Sequence, residues 1–409
     1  MLLLQRKGRA LAALFLLIIT TLTAFGQAKL NKGTWRGVLN TAAGELPFNF
    51  EIKDAAGKQV MYILNAQERF KVTDIKVTGD SVLIHMPLFD SEFRLKRLGD
   101  RLQGNFIKHL GERDAATPFT AQYNVKYRFL EKPEPPLTNV SGRWSAIFGE
   151  GADRDTTVGE FVQTGNRLTG TFLTTTGDYR YLEGTVSGHK LYLSCFDGGH
   201  SFLFTADIAD NDHLTNGRFG RTPWTAVRKA DAKLPDAYSL TVLKPGYKTI
   251  NFSFPDLNGN KVSLTDARFK NKVVILQIMG SWCPNCMDET AYLVNYYKKY
   301  HKKGVEVLGL AYERTTDMAR SKKAVQQEKE HFNVPYPLLL TGYTSNKAET
   351  AKSLPMLSNF LAFPTTIIID NKGEVRKIYT GFSGPGTGAY YTQFTEQFER
   401  LTDNLLAEK

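Results

Sequence analysis

One junction constrains this chain more than any other feature: an apolar run that hands over to a helix through Trp282-Cys283-Pro284-Asn285-Cys286. The run, Val273-Val274-Ile275-Leu276-Gln277-Ile278-Met279, reads as a buried strand. The residues from Met287 to about Tyr300 read as a helix. Two cysteines three residues apart at such a junction form an arrangement for thiol–disulfide exchange. The first falls at the helix N-terminus, where unpaired N–H groups and the helix dipole stabilise a thiolate. The second lies one turn further in, close enough to close a disulfide and reopen it. A structural disulfide and half of a zinc site are the competing readings. Zinc needs further ligands, and no second Cys pair or His pair stands near at ligand spacing.

The chain has 409 residues, enough for two to four domains. Its net charge is +11, but Arg6, Lys7 and Arg9 precede a hydrophobic run from Ala10 to Leu22. A basic start, an apolar stretch and Ala24-Phe25-Gly26 predict a secretory signal over residues 1–26, cleaved before Gln27. The run is short for a spanning helix, and no cysteine follows it to carry a lipid. An uncleaved anchor is the alternative, and the periplasm is the expected compartment. The mature chain is still basic, by about +8, yet holds no long Lys/Arg block. Lys298-Lys299 and Lys302-Lys303 sit at a helix end, where cations suit the dipole, so no nucleic-acid partner is expected. The third cysteine, Cys195, alternates with Leu191 and Leu193 on one strand face and reads as a buried inert thiol.

Residues 27–130 read as a first β-module, a succession of short strands punctuated by Gly57-Lys58, Gly79-Asp80 and Gly99-Asp100. Residues 131–137, with Pro133, Pro135 and Pro136, read as a semi-rigid linker. Residues 138–230 repeat the first pattern. Ser141-Gly142-Arg143-Trp144 echoes Lys32-Gly33-Thr34-Trp35, Gly188–Leu193 echoes Gly79–Ile84, and Phe196-Asp197 echoes Phe89-Asp90. A duplicated β-module of about 95 residues, with about eight strands in an antiparallel meander, is expected, either a barrel or a curled sandwich. A second linker spans residues 231–248. From 249 to 409 strand and helix signals alternate, with helices over 287–300, 317–332, 347–360 and 389–405, which argues for an α/β domain. The predicted fold class is therefore multidomain: two duplicated all-β antiparallel, barrel-like modules followed by an α/β domain.

Residues 250–405 resemble the thioredoxin-fold domain of the TlpA/ResA-type disulfide reductases. The matching residues are Phe254-Pro255-Asp256-Leu257-Asn258-Gly259, Trp282-Cys283-Pro284-Asn285-Cys286 and Phe363-Pro364-Thr365-Thr366. The whole chain resembles the multidomain members common in Bacteroidetes-type bacteria. The resemblance implies Cys283 as nucleophile and Cys286 as the resolving thiol. It implies a cis bond at Pro364, so that the backbone of Phe363 faces the disulfide and pairs with an extended substrate, and it places Thr365 in the same substrate-binding surface. Trp282 and Pro284 would complete the contact surface. Glu289, three residues after Cys286, would move the proton of the buried thiol. Gln277 stands where the thioredoxins proper carry a buried Asp, which leaves Glu289 as the better proton acceptor. The family often has proline where this chain has Ala291.

No cofactor beyond the Cys283–Cys286 disulfide is implied, and no metal. The implied partners are protein thiols and disulfides, with a membrane-embedded thiol reductant as electron donor and reduction as the direction. The oligomeric state is not readable. A periplasmic oxidase or isomerase on the same fold is one alternative. A ligand- or partner-binding protein whose β-modules carry the main role is the other. Gly381–Gly388 lacks the Lys-Ser/Thr of a phosphate loop and is expected at the rim of the partner groove. The stretch 317–361 reads as an insertion between the second and third strands.

Overall fold

The computed structural model describes residues 29–110 and 113–408. The predicted signal, residues 1–26, lies outside the described residues. No helix among the described residues is long and apolar enough to cross a membrane.

The first sheet is a nine-stranded antiparallel meander in which Asp114–Tyr123 returns to pair with the opening strand, Gly33–Thr41. Its two edges, Glu68–Val72 and Asp74–Thr78, are consecutive in the chain, so the sheet curls almost into a barrel without closing. The second sheet does close. Asp155–Thr164 pairs with Arg167–Thr174 as well as with Gly142–Phe148, which makes a ring of eight strands with Gly177–Asp178 appended. Closure removes the unpaired edges that an open sheet exposes.

The duplication is visible in side-chain geometry. Gly33 and Gly142 open equivalent strands at φ 121° and 116°, where only glycine is unstrained. Trp35 and Trp144 are fully buried, and each indole donates to the carbonyl four residues back, Asn31 and Val140, at 2.9 Å. The two cores are not separate. Phe196 of the second sheet stacks on Phe48 of the first at 4.4 Å and meets Phe93 and Phe106.

The C-terminal part has a thioredoxin-like fold. Five strands run in the order Leu338–Thr344, Val305–Glu313, Val273–Met279, Thr365–Ile369 and Val375–Thr380. The first three are mutually parallel and the last two antiparallel. Every residue of the central strand Val273–Met279 is buried, as both-face coverage requires. Four helices accompany the sheet: α1 (Pro284–Tyr300), α2 (Met318–Phe332), α3 (Lys347–Ser353) and α4 (Ala389–Ala407).

Three expectations change. Helix α1 starts at Pro284, not Met287, because proline suits the first helical turn. Helix α3 ends at Ser353, short of the expected residue 360, since Leu354 precedes a proline and is pushed out of the helical region. The supposed insertion contains a strand of the main sheet, Leu338–Thr344. The second linker is also docked along its length. Val242–Leu243 pairs with Leu357–Ser358, Thr241 is buried against Thr380, and Tyr238 packs edge-on against Tyr379.

Replacing Trp144 with Phe removes the indole bond and leaves the carbonyl of buried Val140 unpaired, at a cost of about 1–3 kcal/mol, whereas Asn31, the acceptor of Trp35, is exposed and water replaces that bond. Trp224, whose buried Nε1 meets no partner among the described residues, provides the contrast. Its change to Phe is expected to cost about 1 kcal/mol less than that of Trp144, measured by urea unfolding followed by far-UV circular dichroism.

Candidate active site around Cys283 and Cys286

The loop after the central strand is fixed from below. Ser281 donates from its N–H and its hydroxyl to Glu313, at 2.9 and 2.7 Å, and Trp282 Nε1 donates to Tyr312 O at 2.8 Å. Trp282 also meets Phe363 edge-on at 5.5 Å, with the Arg314 guanidinium over its ring. These contacts deliver Cys283 to the N-cap of α1, in an extended conformation, with Pro284 at the first helical position.

Cys283 and Cys286 are both free thiols. Cys283 Sγ accepts from the Cys286 N–H at 3.3 Å and donates to Phe363 O at 3.5 Å. The Phe363–Pro364 bond is cis. Cys286 is completely buried, and burial, followed by the neighbouring Cys283, pushes its pKa well above the usual thiol range. The two cysteines therefore differ in kind: one capped by a backbone N–H, the other desolvated and in need of a base.

Glu289 lies next to that second thiol on α1 and is 1% exposed. Burial pushes its pKa up to about 7, against the opposing bonds from Thr366 and Gln277. Thr366 Oγ1 donates to one carboxylate oxygen at 2.6 Å and Gln277 Nε2 to the other at 2.9 Å. Gln277 Nε2 also reaches Cys286 O at 3.2 Å. A group titrating near neutrality can take and return a proton in the working pH range.

Of the expected site residues, Trp282, Cys283, Pro284, Cys286, Glu289, Phe363 and Pro364 come together here. Thr365 faces elsewhere. Its hydroxyl is buried and donates to Ala362 O at 2.7 Å. Thr366, not anticipated, is the threonine that reaches Glu289. Strand alternation guarantees that only one of the two can do so, and Thr366 stands opposite Gln277 in the ladder.

The β-sheets also reach the site. Arg180, 6% exposed, pairs with Asp288 on α1, with Glu68 Oε1 of the first sheet at 2.5 Å and with Asp197 Oδ2 of the second at 3.0 Å. Asn285 Nδ2 donates to Asp178 O at 3.4 Å. Asp178 Oδ2 in turn accepts from Gly384 N at 2.7 Å, so the glycine-rich loop docks on the second barrel and is not an open rim. Nothing in the cysteine motif signalled these partners, because they lie about a hundred residues or more away in the chain.

Glu289 binds its proton more tightly in the folded chain than in the unfolded one. It therefore favours folding below its ordinary value of 4.5, and that contribution is lost as pH rises through about 7. The loss amounts to about 3 kcal/mol. Asp178, pushed up to about 6, and Glu328, pushed up to about 8, act with the same sign, burial being the main cause in each. Glu289→Gln is expected to flatten this decline, leaving the variant more stable than the parent above pH 7 and no more stable below pH 4.5. Urea unfolding at the two pH values checks it.

The Redoxin family model matches residues 244–392. The thiol-disulfide oxidoreductase ResA of Bacillus subtilis is 30% identical over 139 residues, which are 34% of this chain and 69% of that protein. ResA of Geobacillus kaustophilus is 29% identical over 141 residues, 34% of this chain and 72% of that one. Among solved structures, a thiol-disulfide oxidoreductase from Bacteroides fragilis aligns at 22% identity with a TM-score of 0.30, covering 38% of this chain and 99% of that one. The Redoxin match contains both cysteines, Glu289 and Pro364 and leaves the two β-sheets outside it. Through this C-terminal part, the chain belongs to the ResA family of thiol–disulfide oxidoreductases.

Proposed function

We propose that the chain is an exported thiol–disulfide oxidoreductase that reduces disulfides of partner proteins. The observation that carries this reading is the division of labour between the two thiols: Cys283 at a helix N-cap, Cys286 buried with Glu289 as the adjacent base. In the first step the Cys283 thiolate attacks one sulfur of a partner disulfide. That S–S bond breaks, a mixed disulfide forms, and the leaving partner sulfur takes up a proton. In the second step Glu289 accepts the Cys286 proton, and the Cys286 thiolate attacks Cys283 Sγ. The mixed disulfide breaks, the second partner sulfur leaves as a thiolate and takes up a proton, and Glu289 returns its own proton to solvent.

Two electrons pass to the partner, and the Cys283–Cys286 disulfide carries the oxidised state, so no organic cofactor or metal enters the cycle. A membrane-embedded thiol reductant would return the electrons from outside the cytoplasm, where the basic, apolar leader of residues 1–26 directs the chain. Backbone groups around the cis Phe363–Pro364 bond, with Trp282, supply the surface for the partner strand, while Pro284 is covered by the turn at Gly199.

Cys286→Ser is expected to accumulate mixed disulfides on Cys283 in the exported compartment, and Cys283→Ser to accumulate none. Mass spectrometry of trapped species reads both, and an empty trap would count against the reading. The midpoint potential of the pair is expected to lie below that of glutathione; a higher value would overturn the reducing direction. Glu289→Gln is expected to slow resolution about a hundredfold and to erase the inflection near pH 7 in its rate profile. Stopped-flow single turnovers measure that step.

A further inference from the structure

The duplicated sheets place equivalent turns over the N-terminus of α1. In the first sheet the turn is 86–90, between Ser81–His85 and Ser91–Leu98. In the second it is 197–200, between Lys190–Phe196 and Ser201–Ile208. The turns hold each other. Ser91 Oγ donates to Gly198 O at 3.3 Å, and Lys108 Nζ reaches Gly199 O. A methyl group added at Gly199 would stand 2.9 Å from both the Phe89 ring and Pro284 Cγ. The turn thus lies within one side chain's thickness of the cysteine motif, and Phe89 closes the same gap. On the other flank a methyl group at Gly177 would overlap the Asn285 amide, and Arg180 bridges to Asp288.

Beneath this cover Cys283 is 6% exposed. What remains beside Trp282 is a narrow cleft of about 80 Å³, lined also by Leu88, Phe89, His109, Met287 and Arg314. A stable complex between folded proteins needs about 800 Å² of matched surface on each side. An extended segment needs only a slot about 5 Å by 10 Å.

We propose that the paired turns form a selective roof, which admits a disulfide carried on an extended, unfolded polypeptide segment and excludes one set in the surface of a folded domain. The proposal rests on the exchange reading of Cys283 and names its substrate class. Phe89 is the specificity-determining side chain, and the Arg180–Asp288 bridge ties the roof to α1.

The test uses the full chain, reduced beforehand. Phe89 sits at φ 70°, which glycine adopts freely, so Phe89→Gly thins the roof without straining the turn. Asp288→Asn weakens the tie while keeping its shape. In the parent chain, iodoacetamide is expected to modify Cys283 at least about tenfold faster, relative to free cysteine, than a maleimide bearing a polyethylene-glycol chain. A disulfide joining two short unstructured peptides is expected to be reduced at least about tenfold faster than one on the surface of a folded domain. Both substitutions are expected to narrow these gaps. Equal rates in the parent chain, or gaps that neither substitution changes, would overturn the roof. Size-selective alkylation with neither disulfide reduced would sink the exchange reading and leave the roof standing. Each variant's far-UV spectrum verifies that it is folded.

Discussion

The assembly turns on one buried guanidinium. Arg180 pairs with Glu68, Asp197 and Asp288, one carboxylate from each of the three parts of the chain. Burial alone would discharge Arg180, but its acidic neighbours raise its pKa instead. Burial likewise opposes the charge of Asp197, and His200 and Arg180 outweigh it and hold the pKa below the usual range. Glu68 is less favoured, since burial leaves its pKa raised. Removing one partner of a buried cluster strands the others, at about 3–5 kcal/mol. The cluster therefore penalises any displacement of one part that would break its ion pair with the others.

Duplication explains how two sheets serve one site. Each module brings the same tryptophan clasp and the same strand–turn–strand corner. The copies then diverge where closure is concerned: the second ring is complete and the first is not. The cores merge through Phe196, which belongs by chain to one module and by packing to the other. A repeat that shares its core with its neighbour gains burial that neither copy has alone.

Much of the C-terminal chemistry is legible in the amino-acid sequence. The spacing of Cys283 and Cys286 marks the exchanging pair, and the family resemblance, with Gln277 where the thioredoxins carry Asp, points to Glu289. Local signals mislead where a single proline decides the outcome: Pro284 extends α1 backwards and Pro355 cuts α3 short. The choice between Thr365 and Thr366 needs the facing of the strand, which a motif does not carry. The strand Leu338–Thr344 escapes notice because a three-leucine run after Pro337 has no alternation to separate strand from helix. The reach of Arg180, Asp178 and Phe89 to the cysteines is illegible in principle, because such contacts depend on how whole domains pack.

Cys195 takes on a different meaning in this setting. It is 0% exposed in the second core, and burial, with Asp197 and Glu68 nearby, raises its pKa well above that of an ordinary thiol. Only a thiolate attacks a disulfide, so a sulfur that keeps its proton is chemically silent. A protein that handles other molecules' disulfides risks scrambling its own. Here the third cysteine sulfur is insulated kinetically, and the fidelity of the exchanging pair rests partly on the dryness of the second barrel's core.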